Sequence, residues 1–224
     1  MDKRIKYRIV LDTETCPIEK MEEVEPSNML TYDIGFAVVD KNGNIYEKHS
    51  YVVSDIFFRE SEKMKSAYYA SKIPMYLADI DSGKRIVKSW KSIRCILLDT
   101  MKKYNINEVY AHNMRFDLGT LNKTNEYLTG YKYFFPYGVK ICDTLKMARQ
   151  TIGKQKNYKK FCSENGYMTR NNLPQFKAEV IYKYISGNND FIESHTGLED
   201  VLIETQIMAK CFRTHKKMTK ELFK

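Results

Sequence analysis

Residues 9–15, IVLDTET, constrain the fold more than any other stretch of this sequence. The run that leads into them, YRIVLD, is rich in β-branched residues and predicts a central strand covered on both faces. On an extended strand, residues two apart point to the same side, so Asp12 and Glu14 share one side and Thr13 points to the other. Like charges this close repel and raise each other's pKa unless a cation lies between them. A divalent metal ion at the end of this strand is one answer to that repulsion.

The rest of the pattern indicates an α/β fold. Strand-like runs, two of them joined by the turn signal KNGN, lie at residues 7–12, 30–40, 44–53, 108–112 and 139–143. Helical patterns begin near Trp90, Asn113, Thr144 and Thr196, and short helices are predicted between residues 56 and 82. Strands first, then helices alternating with strands, indicate a mixed sheet covered by helices. We interpret residues 1–224 as a single domain.

Several polar residues are predicted to cap these helices. Asn113 and Thr144 stand just ahead of helical segments, where a side-chain oxygen can accept a hydrogen bond from a free backbone N–H group. We interpret Asp143 beside Thr144 as part of a cap rather than as support for a site. Thr196 and Glu199 have the spacing of a capping box ahead of an apolar run. The last helix is therefore predicted to begin at Thr196.

Composition places the chain among folded proteins with a basic surface. Hydrophobic residues make up 43% and charged residues 29%, and no apolar run approaches the roughly 20 residues that span a bilayer. The N-terminus shows no apolar signal region, so we expect a cytoplasmic protein with no membrane partner. Five scattered cysteines without a CxxC pair indicate reduced thiols. The net charge of +9 favours a polyanionic partner such as nucleic acid, although many proteins are basic only for solubility.

Two further acids stand at the start of predicted helices. Asp117 follows the strand that ends at His112, and Asp200 follows His195 by a short spacing. Acidic residues are common in the first turn of a helix because they interact favourably with its dipole, and this alone is an alternative explanation for both. Asp200, however, heads a line of apolar residues at steps of three and four, namely Ile203, Ile207 and Cys211. A carboxylate on such a semi-buried face destabilises the fold unless it is paired or binds metal.

Three segments together resemble the DEDDh family of 3′–5′ exonucleases: VLDTET (10–15), AHNMRFDLGTL (111–121) and HTGLEDVLIET (195–205). Weaker similarity lies at residues 33–45 and 141–149. The resemblance implies an α/β, ribonuclease-H-like fold, with a mixed five-stranded sheet flanked by helices. A sister group carries a tyrosine one position nearer the last acid, where this chain has Thr196, so the chain resembles the histidine type.

The resemblance also implies a site and a reaction. Asp12, Glu14, Asp117 and Asp200 would bind two Mg²⁺ or Mn²⁺ ions, which stabilise charge on the attacking and leaving oxygens of a phosphodiester. His195 would act as the general base. The expected activity is release of 5′-mononucleotides from a free 3′ end, with single-stranded DNA preferred. The residues expected beside the terminal nucleotide are Thr13, Thr15, His112 and Asn113, although a strand end and a helix cap also explain the last two.

Three alternatives stay open on the sequence. The first is an exoribonuclease that trims RNA, the second a catalytically silent nucleic-acid-binding module, and the third a proofreading subunit that works only with a replicative polymerase partner. Residues 54–89 lack the Gly-Ile-Thr-like segment with which many family members shape the pocket for the terminal base, which leaves the choice of sugar open. An aromatic group is expected to fill the core rather than to stack on bases: Tyr127, Tyr131, Tyr133, Phe134, Phe135 and Tyr137.

Overall fold

The computed structural model shows a mixed six-stranded sheet with helices on both faces. It describes residue 2 and residues 4–19, 25–214 and 217–223. The strands, in chain order, are β1 (Arg8–Pro17), β2 (Met29–Val39), β3 (Ile45–Val53), β4 (Ile86–Lys88), β5 (Glu108–Ala111) and β6 (Lys140–Asp143). Across the sheet they lie in the order β4-β3-β2-β1-β5-β6. The α/β fold class expected from the sequence is confirmed.

Strand β1 lies near the centre of the sheet and carries the first two acids. It pairs antiparallel with β2 and parallel with β5, and β5 pairs parallel with β6. Strands β2 and β3 form the predicted antiparallel hairpin. The register of β1 against β2 shifts between Glu14 and Thr15, so an irregularity falls directly after the pair of acids. Bulges of this kind occur often beside active sites, where they redirect side chains.

Within the described residues the sheet has six strands, whereas the sequence predicted five. The additional strand, β4, is three residues long and pairs parallel with β3 at the edge of the sheet. No hydrophobic pattern marks it, since Ile86 is 53% exposed and the next two residues are only partly buried. The pairing with β3, rather than a local preference, makes this segment a strand.

Helices cover both faces of the sheet. In the described residues they are α1 (Ser54–Phe57), α2 (Ser61–Met64), α3 (Ile73–Asp81), α4 (Trp90–Lys103), α5 (Met114–Thr129), α6 (Thr144–Gln150), α7 (Lys156–Glu164), α8 (Ala178–Ser186) and α9 (Gly197–Arg213). Helices α4 and α5 belong to one hydrophobic core with Leu11 of β1, and α6 to α9 belong to a second with Val10. Neighbouring residues of β1 thus face opposite cores. Among the helices described, none combines the length and the hydropathy needed to cross a membrane.

The helices begin close to the predicted positions, but two expected caps are not formed. Asp143, rather than Thr144, caps α6, and its carboxylate accepts the N–H of Leu145 at 2.9 Å. Thr144 is the first helical residue, and its hydroxyl donates to the carbonyl of Ala111 at 3.2 Å. Asn113 precedes α5 with a left-handed backbone, φ 69°, and its side chain makes no capping hydrogen bond. The hydroxyl of Thr144 is thus occupied by the end of β5, and the N–H of Asn113 donates to Oδ1 of Asp143 at 3.2 Å.

Helix α9 begins beside β2 without the predicted capping box. The hydroxyl of Thr196 donates to the side chain of Glu199 instead of either residue capping the backbone. The N–H of Gly197 donates to the carboxylate of Asp33 on β2, at 3.3 Å. A Cβ atom on Gly35 would lie 2.3 Å from the carbonyl carbon of Gly197. The two glycines therefore allow the start of α9 to lie directly against the sheet.

Four tyrosines expected in the core are exposed. Phe134 and Phe135 are buried as expected, and the ring of Phe134 packs against Trp90 with centroids 5.0 Å apart. The exposed residues, at 42%, 76%, 65% and 107%, are Tyr127, Tyr131, Tyr133 and Tyr137. The prediction that the whole aromatic group fills the core is therefore wrong. The segment after α5 turns only its two phenylalanines inward, and Tyr127 lies on an exposed side of α5, where its hydroxyl donates to Glu60 at 2.7 Å.

Candidate active site

Three of the predicted metal ligands converge at the end of β1. Asp12, Glu14 and Asp200 each offer a carboxylate oxygen, and these oxygens lie within 4.8 Å of one another. Asp12 and Glu14 share one side of β1, as the alternation along the strand predicted. Asp200 reaches them from the first turn of α9, and both Glu14 and Asp200 are buried. Residues from opposite ends of the chain thus form one carboxylate cluster.

Asp117 approaches the same strand end from α5. It is 3% exposed, and its Oδ1 accepts a hydrogen bond from the hydroxyl of Thr13 at 2.9 Å. Thr13 therefore points away from Asp12 and Glu14, toward the core that contains α5. Asp117 is not one of the three clustered carboxylates, but its negative charge is close enough to raise the pKa of Asp12.

Without a cation between them, these carboxylates have strongly raised pKa values. Burial is the largest cause for each of them, and repulsion from neighbouring acids adds to it at Asp12 and Glu14. The pKa rises to about 9 for Glu14, to about 8 for Asp200 and to about 7 for Asp117. The charge of Lys72 opposes the shift at Glu14 and Asp200 but does not cancel it. A nearby divalent cation would lower all of these pKa values.

A fifth acid, Glu204, lines the same cleft beside the cluster and was not predicted from the sequence. It lies one helical turn after Asp200 and is 3% exposed. Its Oε2 accepts the backbone N–H of His112 at 3.0 Å. Burial, followed by repulsion from Asp117 and Asp200, raises its pKa well above the usual range. A signal was present, because residues four apart lie on the same helix face, but no motif pointed to this position.

His195 lies in the loop ahead of α9 and is held by several contacts. Its backbone is left-handed, φ 49°, and its ring stacks on Tyr69 with centroids 4.6 Å apart and an interplanar angle of 16°. Its Nδ1 lies 3.8 Å from Oε2 of Glu193. The ammonium of Lys72 donates to the backbone carbonyls of Ser194 and His195. Burial, followed by the charge of Lys72, lowers the pKa of His195, so its imidazole is neutral at neutral pH.

Tyr69 and Lys72 come from the part of the chain in which the sequence showed no motif. Both belong to the turn that leads into α3, which includes the 3₁₀ segment Ala70–Lys72. Lys72 and Ser194 are 122 residues apart in the chain. A contact between residues so far apart leaves no periodicity or local spacing in the sequence, so Lys72 could not be predicted to lie at the site. Residues 54–89 therefore contact the candidate site through Tyr69 and Lys72, although they contain no Gly-Ile-Thr-like segment.

The predicted substrate-binding residues take different positions. Those that line the cleft are Thr13, His112 and Asn113. Both ring nitrogens of His112 are engaged, Nδ1 with the hydroxyl of Thr144 at 3.0 Å and Nε2 with the carbonyl of Phe176 at 2.7 Å. Asn113 is exposed, and its backbone has the left-handed conformation, with φ 69°. Thr15 is buried beyond the register shift and is not among the residues that line the cleft.

An open cleft of about 850 Å³ leads to the acids. Besides the carboxylates, its lining includes the cations Arg149 and Lys177 and the apolar side chains Leu145 and Phe176. The guanidinium of Arg149 lies over the ring of Phe176, 5.9 Å from its centroid. Cations attract phosphate groups and flat apolar surfaces stack against planar rings, so the lining combines both kinds of surface beside the acids.

The residues present suit divalent cations. Mg²⁺ and Mn²⁺ prefer hard oxygen donors, and the cluster at the end of β1 consists of carboxylates. Within the described part of the chain, no lysine, arginine or histidine forms an ion pair with Asp12, Glu14 or Asp200; Arg85 pairs with Glu199 and His195 with Glu193 instead. Buried carboxylates at this spacing destabilise the fold unless a positive charge compensates them. The donor set therefore fits the metal ions that the motifs imply.

Comparison with known proteins identifies the architecture. No protein-family model and no curated protein matches the sequence. The nuclease domain of 3′hExo, a DEDDh family member bound to rAMP, is similar with a TM-score of 0.64 and 12% identity, over 99% of this chain and 98% of that chain. A full-length 3′-exonuclease has a TM-score of 0.63 at 14% identity, over 96% and 85%. E. coli exonuclease I in complex with a 5cy-dT13 oligonucleotide has a TM-score of 0.55 at 13% identity, over 95% and 41%.

At these identities the similarity establishes the fold. It extends over nearly the whole of this chain in each comparison. The resemblance inferred from the three motifs is thereby confirmed at the level of architecture. The chain therefore has the ribonuclease-H-like fold of the DEDDh-family 3′-exonucleases.

Proposed function

We propose that this chain is a metal-dependent 3′–5′ exonuclease that hydrolyses the terminal phosphodiester bond of single-stranded DNA and releases 5′-mononucleotides. The observation that carries the proposal is the convergence of Asp12, Glu14 and Asp200, whose carboxylate oxygens lie within 4.8 Å of one another, in a cleft that His195 also lines. A purely structural role does not account for this cluster, because uncompensated buried carboxylates cost stability.

The acids would hold the metal ions that the reaction needs. Asp12, Glu14 and Asp200 are the proposed ligands, and Asp117 would complete the set from α5. When bound, two divalent cations stabilise the charge that develops on the attacking and leaving oxygens of a phosphodiester. The contribution of the chain is to hold its carboxylates in place before substrate arrives, as the 2.9 Å hydrogen bond from Thr13 to Asp117 does.

His195 would accept the proton from the attacking water. Its lowered pKa leaves the imidazole unprotonated at neutral pH, as a general base requires. The stacked ring of Tyr69 limits rotation of the imidazole, and the carboxylate of Glu193, 3.8 Å from Nδ1, would stabilise the ring once it is protonated. We assign this role to His195 rather than to His112, because both ring nitrogens of His112 are already engaged by neighbouring groups.

The cleft supports binding of a single strand by its 3′ end. Arg149 and Lys177 supply positive charge for the backbone phosphates close to the acids. Leu145 and Phe176 offer apolar surface to the terminal base. The net charge of +9 adds attraction that does not depend on sequence. We propose a preference for single strands because the terminal nucleotide must leave a duplex to reach acids that are largely buried.

The main alternative concerns the sugar. Solved structures of this fold include a nuclease domain bound to rAMP and an exonuclease I complex with a dT13 oligonucleotide, so both sugars are bound by proteins of this fold. An exoribonuclease would use the same acids and the same base. A proofreading subunit would be weakly active alone and would be recovered together with a polymerase. A silent binding module would bind strands without shortening them, and the complete set of acids argues against it.

A degradation assay tests the proposal. Single- and double-stranded DNA and RNA of the same sequence, labelled at the 5′ end, are incubated with the protein in Mg²⁺, Mn²⁺ or EDTA, and the products are separated by length. We expect a ladder that shortens from the 3′ end, only with metal, and fastest on single-stranded DNA. A faster ladder on RNA would replace DNA by RNA as the proposed substrate.

Asp12→Ala is the decisive variant, with Asp99→Ala on the exposed side of α4 as its control. Both remove one carboxylate, but only the first removes a proposed metal ligand. We expect Asp12→Ala to abolish nucleotide release and Asp99→Ala to leave it unchanged. Undiminished release by Asp12→Ala, or in EDTA, would refute the metal-dependent mechanism. Strand binding without any release by the unaltered protein would support the silent module.

A further inference from the structure

A groove at the end of α5, remote from the carboxylates, displays three exposed tyrosines. Tyr131, Tyr133 and Tyr137 are 76%, 65% and 107% exposed. They lie in the segment that follows Gly130, which ends α5, and they line a groove of about 730 Å³ with the N-terminal part of α4. Single exposed aromatic residues are common, but three on one short segment form an apolar patch of the kind that marks binding sites. We call this surface the tyrosine groove, defined by Lys91, Arg94, Tyr131, Lys132, Tyr133 and Tyr137.

The backbone of the tyrosine groove is held in place by polar side chains of α4 and α5. The amide of Asn125, which is 2% exposed, donates to the carbonyls of Tyr131 at 2.7 Å and Tyr133 at 3.2 Å. The N–H of Phe134 donates to Oδ1 of Asn122 at 2.9 Å, and its carbonyl accepts from Nε of Arg94 at 2.8 Å. Four hydrogen bonds thus fix the segment from which the tyrosines project. The backbone that carries Tyr131 and Tyr133 is therefore pre-organised, which lowers the entropy cost of binding.

The charge of the tyrosine groove is of one sign. Lys91, Arg94 and Lys132 line it, and within the described residues no Asp or Glu does. The ammonium of Lys132 lies 5.6 Å from the ring centroid of Tyr133, so cation and aromatic face are adjacent. Aromatic rings interleaved with cations are the pattern by which proteins bind single-stranded nucleic acid, because bases stack on the rings and phosphates pair with the cations. An acidic or purely apolar partner would match only one half of this lining.

We propose that the tyrosine groove binds single-stranded nucleic acid independently of the carboxylate site. Asp117 and Asn125 are eight residues apart on α5, which places the groove about 12 Å along the helix axis from the acids. A strand with its 3′ end at the acids has nucleotides at such distances, and the groove would retain it between cleavage steps. Binding there needs no metal and no hydrolysis, so the inference goes beyond the proposed nuclease activity.

Binding of oligonucleotides in EDTA tests the proposal without hydrolysis. Fluorescence anisotropy with a long labelled oligo(dT) or oligo(rU) is compared for the unaltered protein and for Y131A/Y133A/Y137A. All three side chains are exposed, so the variant should fold, which circular dichroism and thermal unfolding check. We expect Kd to rise at least about tenfold. The control is Phe223→Ala, which removes a 58% exposed aromatic side chain outside the groove and should leave Kd unchanged.

A charge variant gives a second, independent measurement. Lys132→Ala and Lys102→Ala change the net charge equally, and both lysines are exposed, but only Lys132 lines the groove. We expect Lys132→Ala alone to reduce the slope of log K against log salt by about 0.7, the value for one phosphate contact on a single strand. Equal slopes for the two variants, together with an unchanged Kd for Y131A/Y133A/Y137A, would overturn the proposal. Binding of a protein by the groove would not rescue it.

The two proposals fail in different ways. Hydrolysis of a dinucleotide reports on the carboxylate site alone, because so short a substrate does not reach the groove. We expect Y131A/Y133A/Y137A to hydrolyse a dinucleotide at the unaltered rate and to bind a long strand weakly. Loss of dinucleotide hydrolysis in this variant would contradict an independent groove. Long-strand binding by an inactive protein would leave the groove intact and remove only the nuclease.

Discussion

The imidazole of His195 stacks on the ring of Tyr69, with centroids 4.6 Å apart and an interplanar angle of 16°. His195 has a left-handed backbone and lies in the loop ahead of α9. The stack, with the hydrogen bonds from Lys72 to the backbone carbonyls of residues 194 and 195, holds the proposed base against the turn before α3. A segment without any nuclease motif thereby controls the orientation of a residue that the motif contains.

Removing the stack should slow the reaction without abolishing it. We expect Tyr69→Ala to lower kcat by about tenfold, because a base displaced by about 1 Å loses much of its efficiency. Tyr69→Phe keeps the ring and should remain close to the unaltered rate. Steady-state kinetics on a single-stranded oligonucleotide measure both variants. A rise in KM with unchanged kcat would instead indicate that Tyr69 contacts only the substrate.

Loss of the base itself should have a larger effect. We expect His195→Ala to reduce turnover by roughly 10² to 10⁴, the usual contribution of a general base. Titration calorimetry with Mn²⁺ should show retained metal binding, since the imidazole is not among the clustered ligands. His49→Ala, on β3, removes a histidine outside the cleft and serves as the control. An unaltered rate in His195→Ala would remove the assignment of the base.

Glu204 should affect metal binding more than chemistry. Gln at this position keeps an acceptor for the N–H of His112, now bonded at 3.0 Å, but removes the negative charge. We expect E204Q to raise the Mg²⁺ concentration needed for half-maximal activity by about tenfold, as loss of an outer-shell partner commonly does. At saturating Mg²⁺, kcat should return to within a few fold. A kcat that stays low at every metal concentration would place Glu204 in the chemical step.

The close approach of Gly35 and Gly197 should be essential for the position of Asp200. A Cβ on Gly35 would lie 2.3 Å from the carbonyl carbon of Gly197, so Gly35→Ala must push the start of α9 off the sheet. We expect a loss of roughly 10² in activity and a decrease of about 1–3 kcal/mol in the free energy of unfolding. Gly83→Ala, at φ 76° with open space around it, should lower stability but leave activity unchanged. Full activity in Gly35→Ala would show that α9 can shift without moving Asp200.

The carboxylate cluster should make stability fall with rising pH when metal is removed. Folding raises the pKa of Glu14 from 4.5 to about 9 and that of Asp200 from 3.8 to about 8, so the folded state binds more protons than the unfolded state. The free energy of unfolding then decreases as pH rises through this window. Burial lowers the pKa of both His112 and His195, so neither histidine gains charge in this window or opposes the trend.

Thermal unfolding in EDTA, compared with unfolding in Mg²⁺, measures this dependence. We expect Tm to decrease from about pH 7 to about pH 9 in EDTA and to change less in Mg²⁺, because a bound cation stabilises the ionised acids. Glu108 does not interfere, since its ion pairs lower its pKa to about 2 and its stabilisation is lost only at acidic pH. A Tm in EDTA that rises with pH would contradict the raised carboxylate pKa values.

Much of the site could be predicted because its signals are local. Asp12 and Glu14 share a side of β1 through the two-residue period of a strand, and Asp200 was marked by the apolar line it heads along α9. Glu204 carried only its four-residue spacing from Asp200, which no motif marked, and Tyr69 and Lys72 could not be found from local patterns at all. The positions of Tyr69 and Lys72 near the site depend on contacts with residues far away in the chain, and such contacts leave no period or spacing in the sequence.

Local sequence patterns predicted the order and type of the main strands and helices, the faces they bury, and the acids and the histidine that the three motifs carry. Tertiary contacts, in contrast, add β4 as a sixth strand, make Asp143 rather than Thr144 the cap of α6, and leave four tyrosines outside the core. The physical reason is that side-chain periodicity is set by the backbone within a few residues. Pairing, capping and burial depend instead on which distant groups arrive at the same place once the chain has folded.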